Sequence, residues 1–299
     1  MTIHAMSKRF PTASALALIT FVLLVGPALA APISYNVDLN TDNQFGGLKQ
    51  TDVTGCEGDP AGQLACGPAA AVNSFVFLEN VYPKTYDHKL TDQGKATEYE
   101  NWVATANILA GAAFMGCAEC NGGTTRQDFF DGKKKYLEQK ALGSTTYKTA
   151  GNPAPRSVGT IPFSWLFGEL KAGEDVEMVV TYLDADGNRI AGHFLTLTDL
   201  HWTDTQPDNE VDRAENARMS FVDPATGSDS DAQIYQKVAG GPLFSSYGSG
   251  LTVDDTLVAE TRIDYAVSES PVPAPATALL LASAFGSWII ILLMKRRSR

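Results

Sequence analysis

Apolar positions in the first half of the chain recur at helical spacing, and in the second half at every other residue. These two periods, 3.6 and 2, predict helices and strands respectively. The spacing predicts helices over about 67–81, 96–114 and 125–142. The second presents Trp102, Ile108 and Leu109 on one face, and the third presents Phe129, Phe130, Tyr136 and Leu137. A Gly-, Asn-, Pro- and Ser-containing stretch at 143–160 separates them from a short helix at 162–171 and a strand at 176–183. Asp184-Ala185-Asp186-Gly187-Asn188 then lies between two apolar runs, which is a hairpin-turn signature. Its glycine stands fourth rather than sixth, so the segment does not fit a calcium-binding EF-hand loop. In the returning strand His193, Leu195 and Leu197 share one face, and Phe194, Thr196 and Thr198 the other. Residues 219–223 read as another short strand, ending at Asp223 before a Pro-containing turn, and 251–267 as a last alternating run. Residues 31–64 form a Gly-, Asp- and Thr-rich lead-in with a strand near 33–39. Asp204 to Glu215, with five acids, reads as a solvated loop; for Asp229 and Asp231 loop polarity is preferred to calcium binding. Helices followed by an antiparallel sheet, without internal repeats, predict an α+β fold.

The two ends differ from this middle. Residues 1–30 carry Lys8 and Arg9, an apolar run from about Ala13 to Val25, and Ala28-Leu29-Ala30, the three-part pattern of a secretory signal peptide. At the other end an apolar stretch, 276–294, is followed by Lys295, Arg296, Arg297 and Arg299. At about 1.5 Å per helical residue it just spans a hydrocarbon core of about 30 Å, with the cations on the cytoplasmic side. The domain boundaries are therefore 1–30, 31–270 and 271–299. Val272-Pro273-Ala274-Pro275-Ala276-Thr277, the apolar helix and the arginine cluster together resemble a PEP-CTERM sorting signal, with Ala274 where that family usually has Glu. The resemblance implies export across the inner membrane of a Gram-negative bacterium. It also implies an exosortase as partner, and a protein that is membrane-anchored, or at the cell surface or outside it once the tail is processed.

Charge narrows the partners. The whole chain has a net charge of −11, and its two ends contribute +6 with no acid, which leaves −17 on residues 31–270. Such a surface repels nucleic acid and anionic polysaccharide.

The candidate chemistry starts at Ala65-Cys66-Gly67-Pro68-Ala69-Ala70-Ala71. Proline is favoured in a first helical turn, so Cys66 stands at or just before a helix N-terminus. Free N–H groups and the helix dipole there stabilise thiolate over thiol. Of the four histidines, His193 begins a strand, His201 lies eight residues on at that strand's far end, His88 follows the first helix, and His4 belongs to the signal segment. If the strands carrying His193 and Asp223 are antiparallel neighbours, Cys66 gains a base and the base an orienting acid.

ACGPAAA, then GHFLTLTDL 127 residues after its Cys, then FVDPATG, resembles the papain-like cysteine peptidases of the bacteriocin-leader-processing, or C39-like, type. The likeness spans roughly 45–240. It implies a papain-like fold, a helical lobe carrying the cysteine followed by a β lobe carrying His and Asp. It also implies a peptide or protein substrate, with Cys66 as nucleophile, His193 as general base and Asp223 as its orienter, and no cofactor. The family's oxyanion-hole glutamine precedes the cysteine; Gln63, three residues before Cys66, and Gln50, sixteen before, are the two candidates here.

Cysteine pairing bears on this chemistry, because an exported protein meets an oxidising compartment. Cys56–Cys66 with Cys117–Cys120 would block the nucleophile. Cys56 with Cys117 or Cys120, or Cys117 with Cys120, would leave Cys66 reduced. No second Cys or His pair stands at metal-ligand spacing from Cys117-x-x-Cys120, so no metal site is expected. The same triad also serves acyl transfer of the transglutaminase type, and the same fold without activity would serve a surface or matrix binding protein.

Overall fold

The computed structural model describes residues 31–56, 62–117, 123–141, 145–154, 157–205 and 211–271. The expected signal peptide, the sorting tail with its helix at 276–294, and Cys120 lie outside the described residues. No helix among the described residues is long and apolar enough to cross a membrane.

The fold is α+β, as expected. Strand β1 (Ile33–Asp38) comes first, then helices α1 (Cys66–Val81), α2 (Pro83–Tyr86), α3 (Glu98–Ala110) and α4 (Arg126–Ala141). Strand β2 (Thr145–Gly151) and helix α5 (Phe163–Lys171) lead to β3 (Asp175–Leu183), β4 (Arg189–Asp204), β5 (Arg218–Asp223) and β6 (Ser228–Gln236). Three short strands, β7 (Leu243–Ser245), β8 (Thr252–Val253) and β9 (Thr256–Leu257), precede the long β10 (Glu260–Pro271).

Three expectations need correction. The 143–160 stretch contains β2, whose exposed, polar positions carry no clear alternation. Its pairing with the C-terminal half of β10 makes it a strand. Asp229 and Asp231 lie on β6 rather than in a loop; Asp229 accepts hydrogen bonds from Asn40 Nδ2 at 3.0 and 3.2 Å, and Asp231 accepts one from Ser220 Oγ at 2.6 Å. The last alternating run is also interrupted, since β8 and β9 form a separate two-stranded hairpin beside the main sheet.

The antiparallel pairings β3–β4, β4–β5, β5–β6, β6–β7, β7–β10 and β10–β3 form a ring, so six strands close into a barrel. Strands β1 and β2 extend it along β4 and β10. Alternation then sorts the side chains into two cores. Met178, Val180, Leu195, Leu197, Phe221 and Ile263 belong to the core inside the barrel, whereas Val179, Phe194, Val222 and Val267 join the core with α1.

Helix α1 is buried at every residue from Cys66 to Glu79, which is why its apolar residues run all round it. Its polar side chains are all engaged. Asn73 Oδ1 accepts Leu48 N–H at 2.7 Å, tying the lead-in to the helix, and Glu79 accepts from Leu90 N, Thr91 N and Thr91 Oγ1 at 2.6–3.0 Å. Across the interface Thr196 Oγ1 of β4 donates to Ala70 O at 3.0 Å, and Phe129 of α4 stacks on Phe194. Helix and barrel are thereby held together at the first turn of α1.

Candidate active site

Cys66 is the first residue of α1, with Pro68 in the first turn as the sequence predicts. No side chain caps this helix end, so its N–H groups face the thiol side unclaimed by a cap. Among the described residues Cys66 is the free cysteine, and Cys56 is disulfide-bonded to Cys117 with their Cα atoms 5.2 Å apart. Of the pairings open to the sequence, this one leaves the thiol available.

The turn Asp184–Asn188 is the expected hairpin. Asp184 Oδ1 accepts Asp186 and Asn188 N–H groups at 2.9 and 2.8 Å, and no metal loop is needed to explain its acids. It returns the chain as β4, with His193 on the same face as Leu195 and Leu197. Strand β5 runs antiparallel beside β4 with Thr196 opposite Val222, which brings Asp223 at its end to His193. Asp223 then starts the turn: Ala225 N–H donates to its Oδ1 at 2.8 Å, and Gly227 N–H to its carbonyl at 2.7 Å. Gly227 adopts φ +67°, a left-handed conformation that disfavours any side chain, and it lies against Gly47 of the lead-in.

His193 Nε2 meets Asp223 Oδ1 at 2.8 Å, which leaves Nδ1 for the hydrogen bond with the Cys66 thiol. All three side chains are buried. Burial alone would push the Cys66 thiol up, but the hydrogen bond and charge of His193 and the N–H groups of Phe194 and Gly67 outweigh it and hold the thiol below its ordinary value. Burial likewise opposes the charged form of His193, yet its hydrogen bonds to Asp223 and Cys66, with the charges of both, raise it to about 9. Burial would raise Asp223, but His193, the Ala225 N–H and Tyr247 together hold it below the usual carboxylate range. All three shifts run in one direction, each favouring the charged form: thiolate, imidazolium and carboxylate.

The two candidate oxyanion donors separate. Gln50, in a 3₁₀ turn packed on α1, is buried; its backbone N–H donates to Pro224 O at 2.7 Å and its Nε2 to Gln63 O at 3.1 Å. The Gln63 side chain is exposed, and only its backbone carbonyl engages Gln50. Gln50 is thus wedged between the residue after Asp223 and the segment leading into Cys66, with one N–H still to donate. His201 is not part of the site: its Nδ1 lies 3.3 Å from Asn36 Oδ1 on the exposed side of β4. His88 is exposed, 4.0 Å from Glu79.

Two groups were not legible in the sequence. Tyr247, from the glycine-rich segment after β7, donates its hydroxyl to Asp223 Oδ2 at 2.8 Å. In the sequence only the glycine that follows it, Gly248, marks its position. The second is a buried ionic cluster where α1, α4, β3 and β10 meet. Lys133 Nζ lies 2.5 Å from Glu269 Oε2, 3.3 Å from Asp175 Oδ2 and 3.0 Å from Ser74 Oγ, and it also contacts Glu177. The three carboxylates are close enough together to hold a cation, and the cation among them is the Lys133 ammonium.

No known protein family and no curated protein matches this chain.

Proposed function

We propose that this chain is a papain-like cysteine peptidase acting through Cys66, His193 and Asp223. One observation carries the reading: a free cysteine at the N-terminus of a buried helix shares a histidine with a carboxylate 2.8 Å from that histidine. In the reaction the Cys66 thiolate attacks a peptide carbonyl carbon, and the developing oxyanion accepts from the Cys66 N–H and the free N–H of Gln50. The His193 imidazolium protonates the leaving amine. Water, deprotonated by the now neutral His193, then attacks the acyl-enzyme and releases the acid and the thiolate. Asp223 keeps the imidazole in one orientation throughout. A helical part carrying the cysteine and a barrel carrying the other two residues support the papain-like layout.

The same proposal places residues 31–270 outside the inner membrane, delivered by the segment 1–30 and tethered by 276–294 until an exosortase acts on 271–299. Its support is the sequence pattern of the two ends. Mass spectrometry of the mature protein, expected to start at Ala31, tests it.

Activity is tested by incubating the purified protein with a proteome-derived peptide library. Cleavage that is abolished in Cys66→Ala is the expected result, and cleavage that survives this substitution defeats the reading. A binding-only role is the second reading, favoured by the Gln50 carboxamide donating to Gln63 O rather than lying free. A thiolate at Cys66 without turnover of any peptide would select it. Cleavage products capped by an added amine would select acyl transfer.

A further inference from the structure

The carboxylate of Asp223 has two oxygens, and each has its own support. Oδ1 receives His193 Nε2 and the Ala225 N–H, both at 2.8 Å, whereas Oδ2 receives the Tyr247 hydroxyl, also at 2.8 Å. A carboxylate anchored at one oxygen alone retains torsional freedom about its Cβ–Cγ bond, and a terminal torsion of this kind is broad. Closing the second oxygen removes that freedom.

Tyr247 is itself held from several sides. Its N–H donates to Ser245 Oγ at 3.0 Å and its carbonyl accepts from Thr261 Oγ1 at 2.5 Å. Its ring lies edge-on to Phe221 at 5.0 Å, nearly parallel to the His193 imidazole at 6.2 Å, and 6.0 Å from the Tyr182 ring. Gly248 follows in a left-handed conformation, φ +71°, and any side chain there would meet the Tyr182 ring at 2.8 Å. The backbone on either side is tied down as well, Ser246 N–H donating to Gln233 O and Gly250 N–H to Val258 O, both at 3.0 Å, so the residue whose hydroxyl reaches the site is held in place. Tyr247 is half-buried, its ring inside the fold and its hydroxyl on Asp223.

We propose that Tyr247 is a positioning residue of this site: its hydroxyl locks the Asp223 carboxylate in the rotamer that aims His193 at Cys66. The inference rests on the Cys66–His193–Asp223 reading and adds a fourth group to it. Tyr247 bonds to Asp223 and acts through it. Without its hydroxyl, Asp223 loses a donor that favours its charge, the imidazolium is less firmly held, and the thiolate loses part of its support.

The test reads the thiol directly and needs no substrate. The rate of Cys66 alkylation by iodoacetamide is measured by peptide mass spectrometry from about pH 4 to pH 10 in the purified protein, in Tyr247→Phe, in Asp223→Ala and in the double variant. Phenylalanine keeps the ring contacts. Tyr247→Phe is expected to move the acid limb upward by about half a unit or more, which is about a threefold loss of rate on that limb. In the Asp223→Ala background the same substitution is expected to change nothing further, because the group it acts through is gone. If Tyr247→Phe does not fold, Thr261→Val, which frees the Tyr247 carbonyl, is expected to move the limb in the same direction. A Tyr247→Phe profile superimposable on that of the parent, or an effect that persists in Asp223→Ala, overturns the proposal. An acid limb near the ordinary thiol value of about 8.5 in the parent protein overturns the triad itself. The two failures are therefore distinguishable.

Discussion

His193 Nε2 and Asp223 Oδ1 stand 2.8 Å apart, although thirty residues separate them, because β4 and β5 are antiparallel neighbours with Thr196 opposite Val222. One residue of slip in that register would turn Asp223 to the other face of the sheet. The pair, and through it the state of Cys66, is thus a property of strand alignment.

The first prediction concerns pH. Cys66 keeps its thiolate below the ordinary thiol range and loses it as pH falls through its lowered value, while His193 keeps its proton until pH rises through about 9. The reactive ion pair therefore exists between those limits, and peptide cleavage is expected to follow a bell whose alkaline limb lies near 9. His193→Ala is expected to return the Cys66 alkylation profile to that of an ordinary thiol and to lower kcat/KM by about a hundredfold or more. An unchanged alkylation profile in this variant would show that the two side chains do not interact.

Gln50→Ala is expected to lower kcat by about 10²–10³ with little change in KM, as removal of one oxyanion donor does. Gln63→Ala, at an exposed side chain, is expected to change neither by more than about twofold. Equal effects of the two substitutions in steady-state kinetics would contradict this assignment.

The Cys56–Cys117 bridge closes a loop with a sequence separation of 61, for which loop-closure entropy gives about 4 kcal/mol of stabilisation. Cys56→Ser is expected to lower the urea midpoint accordingly while leaving Cys66 open to alkylation without reductant. Recovery of a Cys56–Cys66 peptide from non-reduced protein would contradict both the pairing and the site.

The Lys133 cluster yields a stability prediction with its own pH sign. Burial, opposed by Lys133, raises Glu177 to about 7 and raises Glu269 as well. An acid raised in the folded state holds its proton there after the unfolded chain has released it. Its contribution is complete below the unfolded value of about 4.3 and is lost as pH rises through about 7. Stability in urea is expected to fall between about pH 5 and pH 8, and Glu177→Gln is expected to flatten that fall. Lys133→Met leaves three buried carboxylates without their cation and is expected to cost about 3–5 kcal/mol. A pH-independent midpoint in the parent protein would contradict the raised carboxyls of this cluster.

Local order was largely legible. Pro68 and the alanines after it mark the start of α1 at Cys66, and the 3.6-residue period outlines α1, α3 and α4 within a few residues. Asp-Gly marks the β3–β4 turn, and Asp-Pro the turn after β5. Strands β2 and β6 were not legible. Their polar residues become strand only because β10, β5 and β7 offer hydrogen-bonding edges to them.

What the sequence by itself determined is therefore whatever a few neighbouring residues can encode: a thiol at a helix start, an imidazole on a strand and a carboxylate at a turn. The backbone conformations that produce these depend on proline, glycine and the period of apolar residues, all of which act over a few residues. What only the tertiary structure decided depends on which distant elements become neighbours. The barrel closure through β4–β5 brings Asp223 to His193, and the Cys56–Cys117 bond leaves Cys66 free. The same kind of neighbourhood sets Tyr247 on Asp223 and confines Lys133 among three carboxylates. Each of these joins residues well apart in the chain, and burial then sets their charge states, which no local pattern carries.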